Sequence, residues 1–426
     1  MDTGRRCTTP AGRVPVGAHR KWGQVFVGSL QARRIAALLI AALLAVLAGC
    51  SGSSSESSPD EEAAAPTVAA ASVSVDLADG AVDVAPTAPL QVTVTGGELG
   101  EVTVADDAGA EVAGSVEPEP ADPSTVVWTP ETELDYGTSY TVTATAANAS
   151  AEETTTTSSF TTVTPETLST PGIGPLDGTT VGVGMPIRVF FDEPVADQAE
   201  VERHLLVTSS TPTDGVWNWV RDDEVHFRPS TYWPADTEVT LEADLYGVDF
   251  GEGVWGEKDR TISFSVGERH VSVADAAAHT LTVQDGDQLV QTFPMSAGDA
   301  ENPTHNGAHV VLEKFADITM DSSTFGLAVD APGGYRTDVQ YATRISNNGE
   351  FVHAAPWSLA DQGSRNVSHG CINLATENAK WFYDFSQPGD VVEVVNSIGG
   401  TLTVADGDIY DWAIPWEEWT AGSALS

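Results

Sequence analysis

The stretch VVWTPETELDYGTSYTVTATA, residues 126–146, returns 99 residues later as VHFRPSTYWPADTEVTLEADL, residues 225–245. Pro130 aligns with Pro229, Leu134 with Trp233, Thr138 with Thr237 and Val142 with Leu241. Both copies alternate apolar and polar residues and are punctuated by Gly, Pro and Asp, the pattern of half-buried strands joined by turns. A repeat at this spacing admits few architectures: two tandem β-sandwiches of about 100 residues each. The expected bounds are 72–164 and 165–267, divided near TPETLSTPGIG. Neither copy contains a cysteine, so their cores must be held by packing alone.

Beyond the second copy the pattern changes. HTLTVQDGDQLVQTFPMSAG reads as a hairpin turning at Asp285-Gly286. Short strands follow, and ATENAKWFYDF spaces Ala379, Phe382 and Phe385 as one buried helical stripe. DVVEVVNS supplies a closing strand. The whole reads as a mostly β domain, 268–396, with one or two helices, followed by a Trp-rich extension, 397–426, containing IYDWAIPWEEW. The fold class expected is mainly β throughout, the two sandwiches having the size of immunoglobulin-like modules.

The N-terminal residues read as an export signal. Arg5, Arg6, Arg13, Arg20, Lys21, Arg33 and Arg34 precede an apolar run at residues 35–49 that is shorter than the about 20 residues of a membrane span. The run ends in LAGC, which resembles a bacterial lipobox. The resemblance implies a leader at 1–49, cleavage before Cys50 and a lipid on its sulfur, holding the chain at the outer face of the cell membrane. Residues 50–71, small, polar and acidic, read as a flexible tether. The net charge of the sequence is −43, and no Lys or Arg stands between Cys50 and Arg188. Such a surface repels phosphate backbones and excludes nucleic acid as a partner.

Of three cysteines, Cys7 and Cys50 belong to the leader region, which leaves Cys371 unpaired. Around it the chain sets His353, Ser368, His369, Gly370 and Asn373. A free thiol is only slightly ionised at neutral pH, so a nucleophilic cysteine needs an imidazole to take its proton. Gly370 permits close backbone approach and suits an N–H donor aimed at a developing oxyanion. A zinc site from His353, His369 and Cys371 lacks C-x-x-C or H-E-x-x-H spacing. An inert buried thiol is the bland alternative.

His353, an 18-residue step and then SHGCIN resemble the signature of the L,D-transpeptidases of the bacterial wall, enzymes with a YkuD-type catalytic domain. The segment MSAGDAENPTHNGAHVV is similar to a further stretch of that family. The lipobox, two sandwiches and Trp-rich tail resemble its actinobacterial members. The resemblance implies that Cys371 is the nucleophile and His353 its base. The Cys371 backbone N–H and the Tyr335 phenol would form the oxyanion hole. Asn348, Gly349 and Asn373 would line the substrate path, and Ser368, His369, Gly370, Ala354, Trp357 and Met320 would support the site. Where many relatives carry Ser after the first His, this chain has Ala354, which serves equally if only the carbonyl orients the imidazole. Phe325 stands where some relatives have Tyr.

The implied reaction is acyl transfer between peptidoglycan stem tetrapeptides: attack at the third residue, release of D-Ala, and a 3→3 cross-link. No cofactor is required, and carbapenems should acylate Cys371. Residues 317–335, with Met320, Phe325, Leu327 and a Gly333-Gly334 hinge, are expected to cover the site. Rival readings are a sortase-like or papain-like cysteine enzyme, for which Arg365 is a poor match, and a non-catalytic wall-binding lipoprotein. Asp249, Glu252 and Gly253 form an acidic Gly-rich loop that could hold structural Ca²⁺, without EF-hand spacing. Trp412, Trp416 and Trp419 are expected to staple the tail to the catalytic domain.

Overall fold

A computed structural model describes residues 69–426 except 327, 332 and 408. The leader, Cys50, most of the tether and Leu327 of the expected cover lie outside the described residues. Among the described residues no helix is long and apolar enough to cross a membrane.

The two sandwiches follow one plan. In the first, a sheet ordered Ser72–Val75, Leu90–Thr95, Asp122–Pro130, Gly114–Glu119 packs against one ordered Ala81–Val84, Glu153–Thr162, Ser139–Ala147, Glu98–Asp106, Glu111–Val112. The second keeps both orders: Gly172–Gly174, Ile187–Phe190, Glu224–Pro229, Gly215–Arg221, and Thr180–Val181, Arg260–Val266, Thr237–Ala243, Leu205–Ser209. Even the parallel pairing recurs, Ala81–Val84 beside Glu153–Thr162 and Thr180–Val181 beside Arg260–Val266. The aligned residues explain this. Leu134 and Trp233 both plug a core, and Val142 and Leu241 are fully buried on equivalent strands. Trp128 and Phe227 each lie over a glycine. A Cβ on Gly114 would come 2.4 Å from the Trp128 ring, and one on Gly215 would come 2.3 Å from that of Phe227.

The third domain has two sheets around one core. The first is ordered Gln288–Pro294, Thr280–Asp285, His270–Asp275, Val391–Val395, Gly307–Val310. The second is ordered Lys314–Asp321, Arg336–Arg344, Phe351–Ala354, Ile372–Leu374. The helix Thr376–Phe385 buries Ala379 and Phe382 in that core, as its 3.6-residue period requires. One detail differs from the sequence reading. Asp285 pairs with Gln288, so the hairpin turns on Gly286 and Asp287, with Gly286 taking the positive φ of 56° at the first turn position. Val391–Val395 is an interior strand, parallel to His270–Asp275 on one side and antiparallel to Gly307–Val310 on the other. Burial on both sides accounts for its nearly continuous valines.

The second sandwich and the third domain share a core. Val271 and Val391 pack into the sandwich's apolar cluster, Gly184 N–H donates to Gly389 at 2.8 Å, and Tyr232 donates to Glu393 at 2.8 Å. The Trp-rich tail corrects an expectation. Trp419 is fully buried, donates to the Val216 carbonyl at 2.9 Å, and its own carbonyl accepts from Asn218 at 2.8 Å. The Arg228 guanidinium lies 4.7, 5.2 and 4.5 Å from the ring centroids of Trp412, Trp416 and Trp419. The tryptophan rings are stapled to the second sandwich, because the cation and carbonyls that they need stand there, while Asn306 and Asn348 tie residues 397–406 to the third domain.

Candidate active site

Strand pairing brings the two ends of the 353–371 loop together. Phe351–Ala354 runs parallel to Ile372–Leu374, with His353 opposite Asn373. Cys371 immediately precedes that strand, and both Cys371 and His353 line a cavity of about 310 Å³. Met320, Tyr335, Trp357, Ser368, His369 and Asn373 line the same cavity.

Each side chain has a local reason for its place. His353 donates from Nδ1 to the Ala354 carbonyl at 2.9 Å, which leaves Nε2 as the ring's acceptor. The orienting atom is a backbone oxygen, so the missing hydroxyl at position 354 costs this contact nothing. Ser368 closes the catalytic loop on itself, donating to the Cys371 carbonyl at 2.6 Å and accepting from Gly370 N–H at 3.2 Å. Gly370 sits at φ 112°, a region that L side chains rarely enter, and this turns the chain sharply into Cys371. Asn373 donates to Ser358 at 3.2 Å, and its backbone bonds Ser296, just past the strand Gln288–Pro294. The Tyr335 ring lies 5.3 Å from that of His369, and Trp357 lies 6.1 Å from His353.

The resting pair is neutral. Burial pushes the Cys371 thiol up to about 12, opposed by a backbone hydrogen bond from Phe351 and reinforced by the Glu350 charge. Burial likewise lowers His353 to about 4, with the Ala354 carbonyl opposing. Tyr335 is raised to about 12 by burial and by its nearness to Cys371, so its phenol keeps its proton and can donate it in a hydrogen bond. Cys371 is 6% exposed, and its Sγ–H points to the Gly349 carbonyl at 3.6 Å. Gly349 lines a second cavity, of about 190 Å³, together with Met320 and Tyr335. Met320 and Tyr335 line both cavities, and Cys371 lines the first.

The expected cover, 317–335, is the end of the strand Lys314–Asp321 and the connection beyond it, which opens with a 3₁₀ turn at Ser322–Phe325. Lys314–Asp321 pairs with Arg336–Arg344, and Ser322 closes the base by donating its N–H to Tyr335 O and accepting from Tyr335 N–H, both at 3.0 Å. Asn348 departs from its expected role. Its side chain accepts from Ser346, contacts His305 at 3.3 Å and reaches Asp406 at 3.5 Å, behind the site rather than in the cavity lining. Arg365 pairs with Asp361 and is largely exposed. In the acidic loop, the Asp249 carboxylate accepts from Gly251 N–H at 2.8 Å, and Glu252 occupies the hairpin turn at φ 53°. Among the described residues, the His, Cys, Asp and Glu cluster with metal-ligand spacing lies elsewhere, at Glu268, His270 and Asp285 on the other sheet. His305, His309 and Glu350, packed behind Cys371, were not singled out from sequence. The available signal was two histidines four residues apart in a chain that has nine.

Comparison with known proteins adds the following. The family model of the L,D-transpeptidase catalytic domain matches residues 269–394. The model of a bacterial Ig domain matches residues 81–249, running across both sandwiches. The chain is 42% identical to L,D-transpeptidase 2 of Mycobacterium tuberculosis over 352 residues, 83% of this chain and 85% of that protein. It is 40% identical to L,D-transpeptidase 5 of the same species over 355 residues, 82% of this chain and 76% of that protein. A crystal structure of L,D-transpeptidase 3 from Mycobacterium tuberculosis in complex with a faropenem-derived adduct is 35% identical, covers 52% of this chain and 96% of that one, and has a TM-score of 0.44.

Proposed function

Since the chain belongs to the L,D-transpeptidase family, we propose that it performs the family's reaction through a thioester on Cys371, with His353 as the acid–base group. The observation that supports this is the strand pairing that puts a buried thiol and an imidazole with an unspent Nε2 in one cavity.

The stem peptide of an acyl donor enters the cavity, and the carbonyl of its third residue meets Cys371. The sulfur–carbon bond forms as the thiol proton passes to His353 Nε2, so no free thiolate need accumulate beforehand. The oxyanion is met by the Cys371 backbone N–H and the Tyr335 phenol. As the C–N bond breaks, His353 returns its proton to the departing D-Ala amine. A side-chain amine of a second stem then attacks the thioester from the side that Gly349 lines. Its proton goes to His353 and then to the released sulfur, leaving a 3→3 amide. Atoms and charges balance without metal or redox cofactor.

The same chemistry makes the thiol a target for a carbapenem, whose strained ring carbonyl replaces the stem's and whose ring nitrogen leaves without departing. The test is mass spectrometry of the wild-type chain and of Cys371→Ala with a stem tetrapeptide donor and an amine acceptor. Cross-linking that persists in Cys371→Ala rejects the reading. We infer also that the chain works outside the cytoplasm, tethered through Cys50. The basic leader and LAGC support this, and an intact mass with Cys50 unmodified would remove it.

A further inference from the structure

Directly behind Cys371 lies a buried carboxylate. Glu350 is 4% exposed, and its Oε1 accepts from the His305 backbone N–H and pairs with His305 Nδ1, each at 2.9 Å. Its Oε2 pairs with His309 Nε2 at 2.9 Å and accepts from Ser346 at 3.4 Å. A buried carboxylate is tolerated only when paired and hydrogen-bonded in this way. The cluster backs onto the catalytic loop: a Cβ built on Gly370 would lie 3.7 Å from Glu350 Cγ and 3.8 Å from Oε1. Thr304, beside His305, donates to the Gly370 carbonyl at 2.7 Å and accepts from Gly298 N–H at 2.9 Å. Gly349, beside Glu350, supplies the carbonyl that Cys371 Sγ–H meets.

We propose that Glu350, held between His305 and His309, is a positioning residue for the acyl transfer. It fixes Gly349 and Gly370 on either side of the sulfur, and the balance of its charge against the imidazoles sets how readily Cys371 gives up its proton. The proposal rests on Cys371 being the nucleophile.

The charges run as follows. Burial would raise Glu350, but the hydrogen bonds from His305 and His309 outweigh it and hold the carboxyl at about 2, so it stays anionic. An anion there opposes a thiolate on Cys371. His305 is raised by its bond to Glu350, and Asp406 from the C-terminal segment, 3.3 Å from Nε2, favours the charged ring further. A cation at His305 offsets the carboxylate. The other ionisable groups facing the sulfur are His353 on its strand, His369 on the catalytic loop and Tyr335 at the hairpin base. Arg344, on the adjacent strand, lies over the Phe351 ring at 4.6 Å and pairs with Glu313.

The test is the rate of Cys371 alkylation by iodoacetamide in the full chain at about pH 6, below the ordinary imidazole value so that the raised His305 carries its charge, with the modified residue identified by mass spectrometry. Removing the anion in Glu350→Gln is expected to speed alkylation about tenfold, and removing the cation in His305→Gln to slow it about tenfold, each being about one pKa unit. His305→Lys, which keeps a cation, should restore the wild-type rate. A purely structural role loosens the loop in both variants and moves both rates the same way, which would overturn the proposal. If Glu350→Gln fails to fold, equal rates for His305→Gln and His305→Lys would overturn it instead. Failure of the nucleophile reading shows separately, as a wild-type chain that forms no carbapenem adduct at Cys371.

Discussion

The Asp411 carboxylate lies 3.0 Å from His226 Nδ1, across 185 residues of chain, and both side chains are fully buried. Glu224 takes the other ring nitrogen at 2.7 Å. Burial alone would discharge the ring, but the two carboxylates outweigh it and raise His226 to about 9. This buried ion cluster, with the tryptophans around Arg228, fastens the end of the chain to the second sandwich.

Alkaline pH should therefore release the tail. A histidine raised on folding contributes stability that is fully present below its unfolded value of about 6.5 and is lost as pH rises through its folded value. The melting temperature is expected to fall as pH rises from about 7 through about 9. In His226→Gln the slope over that window should flatten. An unchanged slope in the variant would mean that His226 is not the group responsible.

Trp419→Ala empties a fully buried site and removes a donor to Val216. A loss of about 3–5 kcal/mol from the sandwich's unfolding transition is expected, read in denaturant. Acylation of Cys371 by a carbapenem in dilute buffer should be unaffected, since Trp419 bonds Val216 and Asn218 of the sandwich and does not line the cavity.

His353→Gln should lower the acylation rate by about 10²–10⁴, the range for loss of a general base. In the wild-type chain the ring, lowered to about 4 by burial, remains a proton acceptor well into acid. The acid limb of the acylation profile is therefore expected near pH 4, and a limb near 6.5 would show an imidazole in contact with water.

Tyr335→Phe removes the phenol of a residue that lines the cavity with Cys371 and leaves the ring in place. A fall in kcat of about 10²–10³ is expected for loss of one oxyanion donor, with KM nearly unchanged. A change confined to KM would make Tyr335 a substrate contact only.

Much of this was legible in sequence because it is carried by local pattern. The 99-residue repeat sets both sandwiches, since Leu134 and Trp233 or Val142 and Leu241 play the same part in each core. His353 and Cys371 were legible through residue type and spacing. What escaped depends on contacts between segments far apart in the chain. The His305–Glu350–His309 cluster spans about 45 residues and has no spacing signature. Asn348 looked like part of the substrate path, yet Asp406 and His305 draw it behind the site. Trp419 was legible as a staple, but its target depended on Val216 and Arg228, some 200 residues away.

The most direct test of a Cys371 thioester is peptide mapping after treatment of the wild-type chain with meropenem. One adduct is expected, on Cys371, abolished in Cys371→Ala and slowed in His353→Gln. A folded wild-type chain whose Cys371 stays unmodified, or an adduct that survives Cys371→Ala, would contradict it.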